Sequence, residues 1–387
     1  MLARGKNRVF VMSRCSLSTS CMALGRMPKE QLILEQKTAG KQEDKKLVAY
    51  FRKMNSWASQ SDLTSHLFSN IVYHEPEKDK HGLVVLNKPH GLPVHPSEDS
   101  LYSLTSSLKS LADMLEVKSL KVIKTADRWS SGITVLGTHE KTIETFKKNS
   151  SQMKAQRMLA YSYLCLVKGH SNMDRTETVQ VKMVDCPQVT NPVVGNMHKE
   201  PEISRRNCSH YKNMKDQAKR VHVHCNTLLN SSKVDASLVC IEPSRVGNHF
   251  IPVYLADTSF PLLGDPLYDY RTRTLLGHKV KLTTAHTESK RCQVLPPSML
   301  DLMGLRKGEE WEVPRMVHLH RLHLCDWLGK GTHVTVFAPP PDYFSRTCRT
   351  LGIAIDYSNL AERDTIRLWK PDARKKKKKS LANLATS

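Results

Sequence analysis

Residue types that can do chemistry gather in one short stretch, residues 125–132, which holds an aspartate, an arginine and a tryptophan among small residues. The alternating residues 133–137 follow it directly and predict a half-buried strand. Asp127 therefore lies on a turn just before a strand, where its carboxylate can be presented as a reacting group. The competing interpretation is that Asp127 only caps its own turn, as aspartates in Ser- and Gly-rich turns commonly do. Other elements of the chain are needed to decide between the two.

A second stretch with turn-forming residues, 87–96, follows the predicted strand 83–86. Its three prolines and one glycine fix an irregular loop rather than a continued strand. Such a loop moves Lys88 and His90 away from the end of the strand. We therefore expect these two side chains to line a site.

The elements that must position these residues are mostly short strands joined by few helices. Leucines at steps of three and four predict a helix over 100–115, and a second helix is predicted over 139–153. Residues 161–169 alternate as a strand does, with Tyr161 and Tyr163 on one face. This pattern favours an α+β fold over a doubly wound α/β fold. The remaining predictions are an amphipathic helix over 45–59, a hairpin of 71–73 with 83–86, strands over 220–226 and 236–241, and a polar insertion over 187–220.

The charge balance of the 387-residue chain points to a polyanionic partner. Its 59 lysines and arginines exceed its 37 aspartates and glutamates, which gives a formal net charge of +22 at pH 7. Such an excess attracts polyanions through counterion release and disfavours a small neutral molecule as the sole partner. We therefore expect the chain to bind nucleic acid. Six consecutive cations at 374–379 are either a solvated tail or a sequence-independent contact to RNA phosphates.

The N-terminal segment resembles an organelle-targeting sequence. Basic residues and serines recur before the first acidic residue, Glu30, and the apolar piece 9–12 is too short for a secretory signal. We interpret this segment as a cleaved mitochondrial presequence, which places the mature protein in the mitochondrial matrix. Apolar runs elsewhere are only a handful of residues long, so we expect no insertion into a membrane.

The metal-ligating residue types form no spacing that identifies a metal site. The 10 cysteines include no C-x-x-C pair, which fits reduced thiols better than a zinc ribbon or a redox dithiol. Two groups of soft ligands were considered, and for both we favour a structural role over a metal site. These groups are Cys208, His210, His222, His224 and Cys225, and His318, His320 and His323.

Five motifs, taken in order, resemble those of the RluA-type RNA pseudouridine synthases. They cover about residues 71–355, and their number makes the resemblance specific although each motif alone is weak. The closing residues 343–347 and the presequence are most similar to mitochondrial members of that family. The motifs are Asn87-Lys88-Pro89-x-Gly91-Leu92-Pro93-Val94-His95, Asp127 with Ser130-Ser131-Gly132, Tyr163 six residues before Gly169, Pro261-x-x-Gly264-Asp265-Pro266-x-Tyr268, and the pair Val317-His318-Leu319-His320-Arg321-Leu322 and Ala338-Pro339-Pro340-Pro341-Asp342-Tyr343-Phe344.

The resemblance implies an α+β pseudouridine synthase fold, with a largely antiparallel mixed sheet split by a central RNA-binding cleft. It also implies one catalytic domain, with no separate RNA-binding module before it. We divide the chain into a presequence and linker (1–40), a helical extension (41–70), the catalytic domain (71–355, with the insertion 187–220) and a basic tail (356–387).

The resemblance further implies that the chain isomerises uridine in RNA to pseudouridine. The bond from uracil N1 to ribose C1′ breaks, the base turns, and a new bond forms through C5. Asp127 is the matching catalytic residue, which either attacks the anomeric carbon or removes a sugar proton. Tyr163 is the matching ring for stacking against the displaced base. No cofactor and no metal are implied.

Two departures from the family pattern concern basic residues. Lys124-Thr125-Ala126-Asp127 stands where the family has His-Arg-Leu-Asp, so an arginine that helps to displace the base is replaced by Thr125. Pro252, in the segment 247–252 that also contains His249, replaces the cation expected beside the catalytic carboxylate. Either Arg128 or Arg245 would have to substitute. The candidate cleft residues are therefore Lys88, His90, Arg128, Arg245 and His249.

Two functional hypotheses remain open from the sequence. The first is a mitochondrial RNA pseudouridine synthase, acting as a monomer on mRNA by preference or on rRNA. The second is a catalytically weak or inactive RNA-binding or ribosome-assembly factor with the same fold. Proteins of mitochondrial RNA granules or of ribosome assembly are candidate partners in both cases.

Overall fold

The computed structural model describes residues 7–10, 47–54, 56–78, 81–98, 100, 102–186, 198–205, 218–276, 278–282 and 293–355. The basic run 374–379 and most of the predicted presequence lie outside these residues. Within them, the predicted α+β class is confirmed, because helices cover both faces of a large sheet that is mostly antiparallel.

The sheet has twelve strands and runs in the order β2-β3-β5-β13-β6-β10-β9-β7-β8, with β4 beside β5 and β14 beside β13. Its neighbouring strands are antiparallel except for the pairs β5/β13 and β1/β14. The strands are β1 (Asn7–Phe10), β2 (Ile71–Lys78), β3 (His81–Lys88), β4 (Lys121–Lys124), β5 (Ser131–Gly137), β6 (Tyr161–Lys168), β7 (Asp174–Cys186), β8 (His198–Ser204), β9 (Lys219–Asn230), β10 (Ala236–Pro243), β13 (Val317–Leu324) and β14 (His333–Phe337). A separate hairpin pairs β11 (Thr272–Leu275) with β12 (His278–Lys281).

Helices pack on both faces of the sheet and divide the core. On one face, α4 (Glu140–Ala155) and α5 (Phe250–Asp257) cover a core to which Tyr161, Tyr163 and Ile241 belong. The opposite face carries two further cores, one under α1 (Leu47–Lys53), α6 (Pro297–Met303) and α7 (Asp342–Thr350), the other under α2 (Gln60–Ser69) and α3 (Leu104–Met114). Because both faces are covered, the central strands β5, β6 and β13 are buried along almost their whole length.

The helix predicted over 45–59 is found but is shorter than predicted, because α1 covers only Leu47–Lys53 and the next helix begins at Gln60. Helix α1 ends at Lys53 and buries Leu47 and Phe51. The hydroxyl of Ser59 accepts a hydrogen bond from the Asp62 N–H at 3.1 Å and begins α2 instead. Serine at such a position satisfies a backbone donor that a continuing helix would have bonded itself, so it favours a new helix start.

The other predicted elements are found with adjusted ends. The helix predicted from residue 100 begins at Leu104, where Ser103 and Ser106 form a reciprocal capping box. The helix predicted over 139–153 is α4, and the strand predicted over 161–169 is β6. Inside the predicted insertion, β8 pairs with β7 and so extends the sheet at its edge. No described helix is long and apolar enough to cross a membrane.

Three histidines of β13 are buried and held by specific partners. The Nε2–H of His318 donates to the Ala338 carbonyl at 3.0 Å, so its Nδ1 accepts from the Ser131 hydroxyl at 3.0 Å. His323 Nδ1 lies 2.8 Å from the Thr335 hydroxyl. Burial lowers the pKa of His318 to about 4 and that of His320 to about 3. These imidazoles are therefore neutral structural groups near pH 7.

Acid should destabilise the fold through these histidines. Their folded-state pKa values lie below the unfolded value, so the unfolded chain binds more protons once the pH falls below about 6.5. Each such group removes roughly 1.4 kcal/mol of stability per pH unit in that range. We expect His320→Gln to reduce the slope of unfolding free energy against pH, measured by urea unfolding from pH 7 to pH 5. The reduction should approach roughly 1.4 kcal/mol per pH unit, which corresponds to about one proton. The exposed His95, changed to Gln, is the control; an equal slope in His320→Gln and wild type would contradict the prediction.

Candidate active site

Asp127 lies on the turn that connects β4 to β5. The N–H of Ser130 donates to the Asp127 carbonyl at 3.2 Å, which closes a four-residue turn with Arg128 and Trp129 at its tip. The Asp127 side chain is 58% exposed. The carboxylate is thus presented to solvent on a backbone that is fixed at both ends by strands, as predicted for a reacting group.

The residues after the turn fix its position on the sheet. The hydroxyl of Ser131 accepts from the Tyr343 hydroxyl at 3.1 Å while it donates to His318. Gly132 has φ +116°, and a Cβ on it would lie 2.3 Å from the Leu319 carbonyl oxygen. Only glycine allows β5 to approach β13 this closely. The Ser-Gly pair therefore anchors the turn of Asp127 to the neighbouring strand.

The ion-pair partner that the structure places beside Asp127 is Arg315, a residue that the sequence analysis missed. Its guanidinium is buried, with Nη1 3.9 Å from Asp127 Oδ2 and Nη2 3.4 Å from Asp265 Oδ1. Asp265 is fully buried and accepts the N–H groups of Leu267 and Tyr268 at 3.1 and 3.3 Å. Burial raises the pKa of Asp265, and the charge of Arg315 opposes that rise. Arg315 therefore bridges a fixed internal carboxylate and the exposed one.

The glycine before Asp265 makes this bridge possible. Gly264 has φ +76°, and a Cβ there would lie 2.1 Å from the Pro314 carbonyl oxygen. The Met316 N–H donates to the Leu263 carbonyl at 2.9 Å, which joins the two segments on the other side of Arg315. The Pro261 to Tyr268 motif thus carries a steric requirement, namely contact between its turn and the backbone of Arg315.

Lys88 and His90 lie beneath the carboxylate and are not presented to solvent. Lys88 is fully buried, and its ammonium donates to the carbonyls of Pro89 and Leu92 at 3.0 and 3.2 Å. Burial lowers the pKa of Lys88 to about 7, and the charge of Asp127 opposes that shift. His90 Nε2 accepts a hydrogen bond from the backbone N–H of Arg315 at 3.3 Å, so the proton of the neutral imidazole is on Nδ1. Burial, followed by the charges of Lys88 and Arg315, lowers the pKa of His90 to about 3.

Tyr163 lies in the core on the same face of the sheet as Tyr161. Its ring is 4% exposed. Burial raises the pKa of its hydroxyl, and the neighbouring Tyr161 and Asp127 add to that rise. Tyr163 is thus close to Asp127, and its role in base stacking stays a prediction. The ammonium of Lys124 lies 5.0 Å from the centroid of the Tyr161 ring, at the margin of the same region.

A basic cleft lies between the C-terminal end of α4 and the N-terminal end of α5. Its volume is about 270 Å³, and Arg245 stands at its exposed rim. The charge of Lys154 adds to the effect of burial in lowering the pKa of Lys124, so positive charge continues from this cleft toward the turn of Asp127. The lining residues are Lys154, Val181, Lys219, Val221, Arg245, Val246, Gly247 and Asn248.

His249 and Pro252 begin α5 and take roles that differ from that of a carboxylate partner. His249 follows Asn248, and both have left-handed φ values of 52° and 53°. The His249 ring is 5.8 Å from that of Tyr268, edge to face. Pro252 is buried in the first turn of the helix, where a missing N–H is tolerated. The arginines proposed from the sequence lie elsewhere: Arg128 Nε donates to the Gly91 carbonyl at 3.4 Å, and Arg245 lines the cleft.

Among the described residues, three side chains that could bind a metal lie close together, namely Cys325, Asp326 and His333. The Nδ1 of His333 already accepts the Asp326 N–H at 3.0 Å. Burial raises the pKa of the Cys325 thiol to about 11, which disfavours the thiolate that binds metals. Of the clusters considered from the sequence, Cys208 and His210 lie outside the described residues. We assign no metal to either region.

Comparisons with known proteins show what the chain is similar to. Residues 82–257 match the family described as RNA pseudouridylate synthase. The human protein named mitochondrial mRNA pseudouridine synthase RPUSD3 is 29% identical over 303 residues, which cover 77% of this chain and 80% of that protein. Ribosomal large subunit pseudouridine synthase D of Buchnera aphidicola is 24% identical over 230 residues, 59% of this chain and 64% of that protein.

One solved structure shows the same fold. Human RNA pseudouridylate synthase domain containing 4 superposes with a TM-score of 0.53 at 21% identity and covers 76% of this chain and 96% of its own. The chain therefore resembles the RluA-type family of RNA pseudouridine synthases, and these comparisons support isomerase activity of that class. The resemblance inferred from the motifs is confirmed.

The close approach at Gly132 predicts a large effect of one methyl group. We expect Gly132→Ala to destabilise the fold by roughly 3 kcal/mol or more, because the added Cβ meets the Leu319 backbone and the φ angle is strained. Gly247→Ala is the matched control, since a Cβ there meets no atom within 4 Å, and its effect should stay within about 1 kcal/mol. Urea unfolding of the two variants measures the difference, and similar losses of stability would refute this account of the glycine.

Proposed function

We propose that this protein converts uridine to pseudouridine in mitochondrial RNA, with Asp127 as the catalytic carboxylate. The observation that supports this most directly is the bridge from buried Asp265 through Arg315 to exposed Asp127. The contact with buried Asp265 fixes the position and orientation of the Arg315 guanidinium. The guanidinium orients the exposed carboxylate and balances its charge, which is what a group that reacts with a ribose requires.

The chemistry assigned to Asp127 has two forms that the geometry accommodates. The carboxylate either bonds to ribose C1′ as the N1 bond breaks, or removes a sugar proton to begin the same cleavage. In the first form, C5 of the turned uracil displaces the carboxylate from C1′; in the second, C5 bonds to C1′ as the carboxylate returns its proton to the sugar. In both forms C5 then loses its proton to solvent and N1 gains one. The buried side chains of Lys88 and His90 support the turn from beneath. Tyr163 is proposed to contact the base.

The RNA and its location are proposed from the charge and from the relatives. The basic cleft at Arg245 and Lys154 suits a phosphate backbone, since cations there release counterions on binding. A relative similar along most of the chain is named a mitochondrial mRNA enzyme, and the N-terminal segment has the composition of a presequence. We therefore favour mRNA in the mitochondrial matrix, with rRNA as the alternative. We expect the protein to act as a monomer, alone or with RNA-granule or ribosome-assembly proteins.

A second candidate function is RNA binding without catalysis. Thr125 and Pro252 favour it, because they replace basic residues of the family. Arg315 argues against it, because a cation reaches the carboxylate from the segment just before β13 despite the loss at Pro252. The next two experiments separate these functions.

We expect Asp127→Asn to abolish isomerisation and to leave RNA affinity nearly unchanged. The amide has the shape of the carboxylate but can neither attack carbon nor remove a proton. Release of tritium from RNA labelled at uridine C5, in single turnover on mitochondrial RNA from cells lacking the protein, measures the step directly. Equal rates for wild type and Asp127→Asn would reject the enzyme hypothesis and favour RNA binding without catalysis.

The same assay identifies the partner of the carboxylate. Arg315→Ala should slow the bound reaction on the order of 100-fold, because one preorganised charge beside the reacting group is lost. Arg315→Lys should recover part of that loss. Arg128→Ala and Arg245→Ala are the comparisons: we expect Arg245→Ala to weaken RNA binding while the single-turnover rate at saturating protein changes little. A larger rate loss in either comparison than in Arg315→Ala would assign the partner elsewhere.

A further inference from the structure

Trp129 has an exposure that its own packing does not explain. The side chain is 47% exposed, although tryptophan is on average highly buried. It lies at the tip of the closed turn that presents Asp127, two residues further along the chain. Because the turn is short, the ring and the carboxylate are presented from the same small part of the surface.

The Trp129 ring is held in place by its neighbours. The guanidinium carbon of Arg128 lies 4.7 Å from the ring centroid, and the His90 ring lies 5.9 Å away at 52°. Arg128 is itself fixed at both ends: its Nε donates to the Gly91 carbonyl, and its carbonyl accepts the Gly91 N–H at 2.7 Å. The exposed ring is thus preorganised, so little conformational entropy is lost when it binds a ligand.

The chemistry of this pair favours a nucleobase over an apolar protein surface. An arginine stacked on tryptophan offers a π-face and a cation together, which match the ring and the phosphate of one nucleotide. Unpaired bases stack on aromatic rings and on guanidinium planes wherever RNA is bound as a single strand. An apolar partner would have to desolvate the charge of Arg128 without replacing its hydration.

We propose that Trp129 and Arg128 form a stacking platform for an unpaired nucleotide adjacent to the uridine at Asp127. The proposal rests on the proposed function for its location beside the target and names the substrate as RNA that is single-stranded there. The platform holds the neighbouring base while the target base is out of the stack.

The test compares two labelled nonamers that differ only in their bases, oligouridylate and an abasic ribose-phosphate chain. We expect Trp129→Ala to weaken binding of oligouridylate roughly 5- to 100-fold and to leave the abasic chain unaffected, because stacking is lost and the phosphate contacts remain. Trp129→Phe should retain most of the affinity. Trp311→Ala is the matched control, since Trp311 is 64% exposed in the short helix Glu310–Glu312, which packs against α1 through the ion pair of Arg52 with Glu312.

Two outcomes would overturn the platform: no loss of affinity in Trp129→Ala, or an equal loss for both nonamers. Binding is measured without turnover, so the result is independent of catalysis. If the protein does not isomerise uridine but its binding through Trp129 depends on the bases, only the proposed function is rejected. Intact isomerisation without that dependence would reject only the platform.

Discussion

The geometry of the site depends on one buried cation. Arg315 has acidic groups on both sides, and the two differ in environment: Asp265 is fully buried and Asp127 is mostly exposed. A guanidinium without a partner would be expensive to bury, so the inner carboxylate is what allows the cation to remain at this position. The outer carboxylate then faces a charge whose position is set by the core. The motifs at 125–132 and 261–268, far apart in sequence, serve this single contact.

Backbone proximity brings these motifs together. A glycine lies at each of two places where separate segments of the backbone touch, Gly132 against Leu319 and Gly264 against Pro314. Both contacts involve the segment that leads into β13 or the strand itself. Because β13 runs between β5 and β6, it brings Arg315, two residues before its first residue, to the start of β5, where the turn of Asp127 ends. The parallel pairing of β5 with β13 is therefore a determinant of the site.

Local pattern was sufficient to predict β2, β3, β5, β6, β9, β10 and the turn of Asp127, because alternation and turn-forming residues act over a few positions. It missed other strands, including the long β7 and the edge strand β8. It placed the end of the helix over 45–59 too late, because apolar spacing continues past Lys53 while Ser59 caps a separate helix. Arg315 was missed because its partner is distant in sequence and its own surroundings read as the start of an ordinary strand. A lone arginine between Pro314 and a buried strand was the available signal. The burial of Lys88 could not be foreseen either, since lysine is almost never fully buried.

The enclosed amine of Lys88 separates two kinds of response to solution conditions. With a pKa of about 7, the amine gains or loses its charge near neutrality, within the field of Asp127. Mobile ions do not penetrate the core, so salt screens that charge little, whereas salt directly weakens the exposed cations of the cleft. A change in pH therefore alters the buried charge next to Asp127, whereas a change in ionic strength alters the electrostatic attraction of the exposed cleft for a polyanion. The surroundings of Asp127 and the basic cleft therefore respond to two independent variables.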